Sequence, residues 1–479
     1  MKEFNQFING QFVKSTSTKV TKVLNPCTEE VISIIPEGSV EDANLAIDAA
    51  YHAQKQWRRL AAIERARYLN QMADVIRDNR VFLAETLAAE QAKVMSLAQV
   101  EIDVTAEYFD YNAAWARRIE GEIIQSDNRK EHLFLHKAPI GVAVGVLPWN
   151  FPFFVMARKL APSLVTGNTC VIKPSCVAPN TVLEFFKLIE KLNVPAGVIN
   201  YVCGTGPVVG NALTKNPRTG IVSLTGSVFA GQKIMEAAAP NITKVSLELG
   251  GKAPAIVCAD ADLELAAQAI VNSKVIFSGQ VCNCAERLYV EESIHDQFMD
   301  MLKEKMGAVK VEDAFATNNP DMSSMVSSDQ VNKVEEMVNF AKKEGAEIVM
   351  GGSRSSQFDK GYFYQPTLLT NVNHNMQIIK EEVFGPVLPV MKFSTLDEAI
   401  ELANDCEYGL TSSIFSENYN KVMHASMELE FGETYINRQH FEAIQGFHAG
   451  WKKSGLGGAD GKHGMEEYLQ TKVVYSQYR

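Results

Sequence analysis

Residues 140–152 read Ile-Gly-Val-Ala-Val-Gly-Val-Leu-Pro-Trp-Asn-Phe-Pro, and the class of fold follows from this stretch. From 140 to 146 small residues alternate with Ile or Val, which predicts a strand. Further short apolar strands alternate with helices, at 170–173, 197–202 and 221–224, with a helix predicted at 181–192. This alternation predicts a parallel, doubly wound α/β sheet, in which ligands bind at the carboxyl ends of the strands.

A second series of strands and helices begins near Ala253. Strands are predicted at 256–258 and 287–290, with a long helix between them. The repeated pattern indicates a second α/β domain after the first.

Two segments lie outside this pattern. Residues 121–136 are predicted to form a long hairpin, and residues 471–478 form an apolar tail. Both have the character of exposed strand edges, which are normally covered when they are this apolar. His132 and His136 would face one side of the hairpin strand as surface or interface residues.

The composition of the 479 residues excludes several classes of function. The chain has 46 Lys and Arg against 57 Asp and Glu, a net charge of −11, which argues against non-specific binding of nucleic acid or anionic membranes. The N-terminus lacks an apolar signal-peptide region and no apolar run reaches the ~20 residues of a membrane span, so we expect a cytoplasmic location. Eight scattered cysteines without a CxxC pair indicate reduced thiols, and no metal is expected.

Four motifs contain residues suited to catalysis or cofactor binding. Asn150, at a strand end between aromatic and proline residues, is a fixed N–H donor that could stabilise an oxyanion. Cys282 follows a Gly-Gln turn and could be an accessible nucleophile in electropositive surroundings. Glu248 is a lone acid in an apolar strand, where desolvation should raise its pKa and suit it to base chemistry. Glycine runs at 204–210 and 225–231 could admit a pyrophosphate between a strand and a helix.

Each motif also has an ordinary structural interpretation when it is taken alone. Asn150 could satisfy the backbone of its own turn, Cys282 could be an inert buried thiol, and Glu248 could belong to a structural salt bridge. The glycine runs could be plain strand-to-helix turns. The residues by themselves leave these alternatives open.

In their order and spacing, the motifs closely resemble those of the NAD(P)-dependent aldehyde dehydrogenase superfamily over nearly the whole chain. The matching landmarks lie at 148–152, 173–175, 225–227, 248–252, 279–282, 382–386 and 453–455. The stretches 281–287 and 445–451 are most similar to the lactaldehyde and glycolaldehyde dehydrogenase subfamily. The resemblance implies that Cys282 is the nucleophile and Glu248 the base that activates the deacylating water. Asn150, with the backbone N–H of Cys282, would form the oxyanion hole.

The resemblance also implies the architecture and the partners. We expect a Rossmann-like cofactor domain formed by residues 1–118 and 138–249, an α/β catalytic domain formed by 250–460, and a small β oligomerisation unit formed by 119–137 and 461–479. Strands of this kind pair between subunits in the family, so a homodimer or homotetramer is expected. The expected small-molecule partner is an aldehyde, with no nucleic acid and no membrane.

Cofactor contacts implied by the resemblance come from both predicted domains. Lys173 would bond the adenine ribose, Ser227 the pyrophosphate and Glu382 the nicotinamide ribose, with Phe384 packed near the nicotinamide. The other expected contacts are Trp149, Ser175, Cys176, Gly206 and Gly226. Many family members carry Glu at the position of Cys176, where it would repel the 2′-phosphate of NADP. Its absence leaves NADP possible, and we expect NAD from the subfamily resemblance.

The predicted substrate tunnel has a polar wall formed by Arg158, Asn283, Glu442 and His448. An arginine at 158, where the family often has an aromatic residue, favours polar aldehydes, because burial of an unpaired guanidinium is costly. The alternative is that Arg158 and Glu442 form a structural salt bridge.

We therefore expect oxidation of a small hydroxyaldehyde, lactaldehyde or glycolaldehyde, to its acid through a thiohemiacetal and a thioester on Cys282. Another short aldehyde, such as a semialdehyde, is the alternative substrate. Acyl transfer to coenzyme A and a non-catalytic structural role are more remote alternatives, because Glu248, Asn150 and Cys282 are all present.

Overall fold

The computed structural model describes residues 2–479, which form two large sheets and three small ones. The first large sheet has eight strands, in the spatial order Gly455–Leu456, Lys244–Glu248, Thr219–Thr225, Val142–Val146, Thr169–Lys173, Ile199–Tyr201, Gln6–Ile8 and Gln11–Val13. The five strands from Lys244–Glu248 to Ile199–Tyr201 are parallel. The predicted parallel, doubly wound sheet is confirmed. From Val142–Val146 the next two parallel strands are added on one side of that strand. The following strand, Thr219–Thr225, is added on its opposite side, so the switch point lies between Val142–Val146 and Thr219–Thr225.

Successive residues of these strands enter different hydrophobic clusters. Val171 packs in one cluster with Ala43 and Ile47 of the helix Val40–Trp57, whereas Cys170 and Ile172 pack in another. Because side chains alternate across a strand, both faces of the sheet are covered by helices, as a short apolar strand requires.

The second large sheet has seven strands. Their spatial order is Glu347–Met350, Thr367–Thr370, Val387–Phe393, Arg287–Glu291, Pro254–Val257, Thr411–Phe415 and Glu433–Ile436. Only the first pairs antiparallel with its neighbour, so the other six form a parallel sheet. The second α/β series predicted from Ala253 is confirmed.

The helices connect and cover these strands. The α-helices are Val40–Trp57, Ala62–Asp78, Arg80–Gln91, Met95–Ala114, Pro152–Thr166, Asn180–Ile189, Asn211–Lys215, Val228–Ala238, Leu263–Val275, His295–Gly307, Ser328–Glu344, Gln377–Lys380, Leu396–Asn404, Tyr419–Glu428 and Gly461–Glu466. The helix predicted at 181–192 is α-helical only to Ile189, and a 3-10 turn, Glu190–Leu192, completes it. Within residues 2–479, no helix combines the length and apolarity needed to cross a bilayer.

A three-stranded antiparallel sheet contains the predicted hairpin. Glu122–Gln125 pairs with Glu131–Pro139, and the tail strand Leu469–Gln477 pairs with the other side of Glu131–Pro139. The tail therefore covers one edge of the hairpin within the same chain, and Glu122–Gln125 and Leu469–Gln477 are the two edge strands of this sheet. His132 and His136 are exposed on the central strand, as predicted. The two remaining small sheets comprise Lys2–Glu3, Val31–Pro36 and Val20–Leu24, and Tyr408–Gly409 with Trp451–Lys452.

Candidate active site

The carboxyl ends of the parallel strands bring several predicted residues to one edge of the first sheet. Glu248 is the last residue of Lys244–Glu248, and Asn150 follows Val142–Val146 by four residues. Lys173 ends the next strand on the other side. Carboxyl ends of parallel strands share an edge, so residues 98 positions apart in the chain, such as Asn150 and Glu248, become neighbours at the switch point.

Cys282 is presented by a strained loop. Three consecutive residues before it have positive φ: Phe277 at 45°, Ser278 at 55° and Gly279 at 71°. Left-handed backbone at a non-glycine residue costs of the order of 1–3 kcal/mol and is concentrated at functional sites. At Gly279 an added Cβ would lie 2.2 Å from the carbonyl oxygen of Gly385, so only glycine fits there. The nearby Cys284 is buried, which raises the pKa of its thiol to about 12, whereas Cys282 is half-buried.

The catalytic and substrate residues predicted from the sequence line one pocket. They are Asn150, Arg158, Glu248, Cys282, Asn283, Glu442 and His448. Its other walls are mainly apolar, including Leu97, Val100, Val104, Phe151, Phe154, Val155 and Ile276. The side-chain nitrogen Nδ2 of Asn150 donates to the carbonyl of Gln280 at 3.2 Å, which holds this amide against the Cys282 loop.

The expected rise in the pKa of Glu248 is wrong. Burial raises the pKa of this carboxyl, but the ammonium of Lys159, 2.5 Å from Oε1, and the guanidinium of Arg158, 3.9 Å from Oε2, together lower it below its usual range. Thr225 also donates to Oε2 at 3.0 Å. Glu248 is therefore an ionised carboxylate held in a buried ion pair, and desolvation alone does not decide its protonation state.

Arg158 lies at the centre of a buried network of charges. Its Nε donates to Asp460 Oδ1 at 3.0 Å and its Nη2 to Asp460 Oδ2 at 2.5 Å, while Nη2 lies 3.1 Å from Glu442 Oε1. Glu442 in turn accepts from Asn283 Nδ2 at 2.5 Å. Arg158 and Glu442 thus form the ion pair that the sequence left as an alternative, and both also line the pocket.

Sequence analysis missed the partners of these charges. Lys159 pairs with Glu248, Asp460 pairs with Arg158, and Glu433 pairs with His448. The partners of Arg158 and Lys159 could have been anticipated, because these two adjacent cations lie inside the helix Pro152–Thr166, whose 15 residues are all buried. Two buried cations require buried anions, but the anions lie far away in the chain.

A second buried group holds the loop that carries Asn150. The ammonium of Lys93 donates to the carbonyl of Asn150 at 2.7 Å and pairs with the carboxylate of Glu101. Gln91 donates to the same carbonyl at 3.1 Å. Glu101 also accepts from the backbone N–H groups of Phe153 and Phe154 at the start of the helix Pro152–Thr166. These residues fix both ends of the turn that aims Asn150, and sequence analysis did not identify them.

Two of the glycines predicted to contact the cofactor lie in open surroundings beside the first sheet. At Gly206 an added Cβ would meet nothing within 4 Å, and at Gly226 nothing nearer than 3.5 Å, so the backbone is approachable at both. Ser227 is the exposed N-cap of the helix Val228–Ala238, whose first N–H groups can bind a phosphate. Lys173 is buried, and its Nζ donates to Pro174 at 2.7 Å. Ser175 and Cys176 are half-buried beside it, with the thiol of Cys176 donating to Gly204 at 3.4 Å.

Glu382, Phe384 and Trp149 lie where the two large sheets meet. The rings of Trp149 and Phe384 contact edge to face with centroids 5.3 Å apart, and Phe384 has a φ of 57°. Glu382 Oε1 accepts from the backbone N–H of Gly251 at 2.9 Å, and burial raises the pKa of this carboxyl to about 7. A Cβ at Gly250 would lie 2.5 Å from Glu382 Oε2, so the glycine pair after Glu248 makes room for this second acid. In the described part of the chain, residues 2–479, no group of three His, Cys, Asp or Glu side chains could hold a metal ion.

The whole chain is similar to known proteins. A model of the aldehyde dehydrogenase family matches residues 12–474. The chain is 55% identical to lactaldehyde dehydrogenase of Escherichia coli (strain K12) over 471 residues, 98% of each chain. A crystal structure of lactaldehyde dehydrogenase from Escherichia coli superposes with a TM-score of 0.98 at 54% identity, covering 100% of both chains.

Two further relatives differ in the aldehyde they are named for. The 3,6-anhydro-alpha-L-galactose dehydrogenase of Vibrio sp. (strain EJY3) is 45% identical over 480 residues, 100% of each chain. The structure of betaine aldehyde dehydrogenase from Staphylococcus aureus in complex with NAD+ has a TM-score of 0.97 at 36% identity, covering 99% of this chain and 95% of that one.

Proposed function

Because the chain belongs to the aldehyde dehydrogenase family, we propose that it oxidises a small hydroxyaldehyde, lactaldehyde or glycolaldehyde, to its carboxylic acid with NAD as the cofactor. The observation that carries this proposal is the pocket in which Cys282, Asn150 and Glu248 share a wall with Arg158 and Glu442. Acyl chemistry at a cysteine needs a nucleophile, an oxyanion donor and a base, and this pocket contains one of each.

In the proposed reaction, the thiolate of Cys282 adds to the carbonyl carbon of the aldehyde and forms a thiohemiacetal. Asn150 Nδ2 and the backbone N–H of Cys282 stabilise the negative oxygen, which makes loss of hydride from the same carbon favourable. The nicotinamide cofactor, when bound, supplies the acceptor for that hydride. Cys282 is left as a thioester, and Glu248 takes the proton of the water that hydrolyses it.

Lys159 sets a condition on the last step. An ideal base has a pKa near the working pH, and the ion pair holds that of Glu248 lower. We infer that Glu248 accepts the proton of water after its 2.5 Å contact with Lys159 has lengthened.

The polar wall supports a substrate with a hydroxyl group beside the aldehyde. Asn283 follows the nucleophile directly and is held by Glu442, which is held by Arg158. The compounds named for two relatives, lactaldehyde and 3,6-anhydro-alpha-L-galactose, both carry a hydroxyl on the carbon next to the carbonyl. A site built to bond such a hydroxyl discriminates strongly against an aldehyde that lacks it, because the polar groups of the site are then left unpaired.

The proposed cofactor site extends over the first sheet. Residues 1–118 and 138–249 would form the cofactor domain, with Lys173 and Ser227 as ribose and pyrophosphate contacts, and Glu382 of the catalytic domain would contact the nicotinamide ribose. Cys176 has no carboxylate to repel a 2′-phosphate, so NADP stays possible. Residues 250–460 would form the catalytic domain, and 119–137 with 461–479 the oligomerisation unit.

A matrix of four aldehydes and two cofactors tests the proposal. Steady-state rates are measured with lactaldehyde, glycolaldehyde, propanal and succinic semialdehyde against NAD and NADP. Because a hydrogen bond to a charged group contributes about 1.5–3 kcal/mol, kcat/KM for lactaldehyde should exceed that for propanal by about 10- to 150-fold. Equal values for these two would contradict the hydroxyaldehyde assignment, and a higher rate with NADP would contradict the assignment of NAD.

The variant Glu442→Gln separates the polar wall from the chemistry. It should lower kcat/KM for lactaldehyde about tenfold while leaving that for propanal nearly unchanged, because only the hydroxylated substrate uses the wall. An equal loss for both aldehydes would show that Glu442 has only a structural function.

A further inference from the structure

The side chain of Gln280, two residues before Cys282, holds the turn that leads to the nucleophile. Gln280 is buried, and its Nε2 donates to the carbonyl oxygen of Phe277 at 3.0 Å. Its Oε1 accepts from the backbone N–H of Val326 at 3.0 Å. The backbone N–H of Gln280 also donates to the carbonyl of Phe277 at 3.0 Å. One residue therefore closes this turn with two hydrogen bonds and attaches it to a separate segment of the chain.

A further hydrogen bond attaches the turn to the same segment, residues 323–326, which we call the brace segment. The hydroxyl of Ser278 donates to the backbone carbonyl of Ser323 at 2.7 Å, and both residues are buried. Within the brace segment, the hydroxyl of Ser324 donates to the carbonyl oxygen of Pro26 at 3.0 Å. The support for the turn is thus itself held in place.

The turn needs this support because its backbone is left-handed. The φ angle is 45° at Phe277 and 55° at Ser278, neither of which is a glycine. Such conformations persist where the surrounding contacts over-determine them. Here those contacts are the hydrogen bonds of Gln280 and Ser278, so removal of the Gln280 amide should allow the turn to relax.

The same turn presents the acceptor that orients Asn150. The backbone carbonyl of Gln280 accepts from Asn150 Nδ2 at 3.2 Å in a buried contact. Because a side-chain amide has two N–H groups, this bond leaves the second for an oxygen in the pocket that Asn150 lines. The amide is planar, so the position of the Gln280 carbonyl sets the direction of the second N–H.

The other contacts of Asn150 act on its backbone and leave its side chain to be fixed separately. Lys93 Nζ and Gln91 Nε2 donate to the carbonyl oxygen of Asn150 at 2.7 Å and 3.1 Å. These bonds place the residue without setting the rotation of its amide. The bond to Gln280 supplies that constraint.

We propose that Gln280 is a positioning residue for the oxyanion hole, whose side chain holds the left-handed turn and whose backbone carbonyl aims Asn150 at the oxygen that becomes negative. This inference rests on the proposed function, in which Asn150 and the backbone N–H of Cys282 stabilise that oxygen. Gln280 is not among the residues that line the described pocket, so it acts through Asn150. Its effect belongs to the rate rather than to substrate binding, because the donor is needed most when the oxygen is charged.

The variant Gln280→Met tests this role, since it keeps the length of the side chain and removes both of its hydrogen bonds. Steady-state rates with lactaldehyde should show kcat/KM lowered by at least about tenfold, because a displacement of about 1 Å can cost about 10²-fold. The KM for lactaldehyde should stay nearly the same, as expected for an interaction made in the transition state only.

The double variant Gln280→Met with Asn150→Ala shows whether the effect passes through Asn150. Its kcat/KM should lie within about threefold of that of Asn150→Ala alone, because the donor that Gln280 aims is already missing. Losses that multiply would overturn the proposal, and so would an unchanged kcat/KM in Gln280→Met.

Asn200→Leu is the matched control for lost stability. Asn200 is also buried, its Oδ1 accepts from the backbone N–H of Asn9 at 2.9 Å, and its Nδ2 donates to the carbonyl of Gly197 at 2.8 Å. The control therefore loses the same kinds of bond at a residue that does not line the described pocket. It should lower the unfolding temperature and leave kcat/KM unchanged. A loss of kcat/KM equal to that of Gln280→Met would overturn the proposal, because lost stability alone would explain it.

Ser278→Ala provides the test if Gln280→Met does not fold. It removes one bond of the turn and should lower kcat/KM by about fivefold, near the effect of one hydrogen bond, again without multiplying the loss in Asn150→Ala. The single variant Asn150→Ala separates the two proposals. An unchanged rate there would contradict the proposed function, whereas a slow Asn150→Ala beside unaffected Gln280→Met and Ser278→Ala would overturn the role of Gln280 alone.

Discussion

At the scale of single residues, the reactivity of this site depends on the charged groups that contact each ionisable side chain. Glu248, which is buried, and Glu382, which is half-buried, lie on either side of the Gly250-Gly251 turn, yet their pKa values move in opposite directions. Glu248 has Lys159 at 2.5 Å, whereas Glu382 has a neutral backbone N–H at 2.9 Å. A cation in contact with a carboxylate lowers its pKa by more than desolvation raises it, whereas a single backbone amide does not.

Asn150 allows a direct test of oxyanion stabilisation. In Asn150→Ala, kcat/KM should fall by about 10²–10³-fold, or about 2.7–4 kcal/mol, since the negative oxygen loses a positioned donor. Iodoacetamide should still alkylate Cys282 at the unmodified rate, because no oxyanion forms in that reaction. A variant with unchanged kcat/KM would contradict the proposed role of Asn150.

Glu382 predicts a pH dependence of cofactor binding. Burial raises the pKa of this carboxyl to about 7, so it is neutral below that pH and ionised above it. The ionised form accepts hydrogen bonds from ribose hydroxyls, and NAD should therefore bind more tightly as the pH rises through 7. We expect the Kd, measured by calorimetry, to be about tenfold higher at pH 6 than at pH 8, because only the ionised fraction is competent. Glu382→Gln should bind weakly with no such dependence, and a pH-independent Kd in the unmodified chain would argue against this role.

At the scale of elements, the site depends on loops that are fixed from outside. The turn that carries Asn150 is fastened by Lys93 and Gln91, which follow and end the helix Arg80–Gln91. Lys93 also lies over the ring of Phe151, with Nζ 3.6 Å from the centroid. A buried pair such as Lys93–Glu101 is costly to break, because the remaining charge is left without a partner.

Lys93→Met should therefore destabilise the protein by about 3–5 kcal/mol and lower kcat through a displaced Asn150. Calorimetry and steady-state rates check the two effects. The double variant Lys93→Met with Glu101→Gln removes both charges and should recover most of the stability but not the rate, since the Asn150 carbonyl still lacks its donor. Full recovery of both would mean that Lys93 serves stability alone.

At the scale of the whole molecule, the two large sheets supply the site and a third sheet supplies a surface. The pocket joins residues from the strand ends of the first sheet to a loop and a strand of the second. The three-stranded sheet leaves Ile123 and Tyr475 exposed at 73% and 70%. Apolar side chains on an accessible sheet are expected to meet another subunit.

Charges placed on this sheet test the expected oligomer. If the chain forms the expected dimer or tetramer, Tyr475→Lys should convert it into a smaller species in analytical ultracentrifugation, because the interface would have to bury a charge. Tyr419→Lys is the matched control, since Tyr419 is 74% exposed on a helix outside this sheet, and it should leave the assembly unchanged. A monomeric unmodified chain would contradict the expectation.

The sequence by itself determined the parallel sheets, the hairpin and the positions of Cys282, Glu248 and Asn150, because periodicity and motif order are local properties of the chain. Only the tertiary structure decided what those residues face. Arg158 bonds Asp460 across 302 positions, and Lys159 bonds Glu248 across 89. The sign of the shift in the pKa of Glu248 depends on that second contact. Electrostatic effects follow distance in space, which the spacing of residues along the chain does not specify.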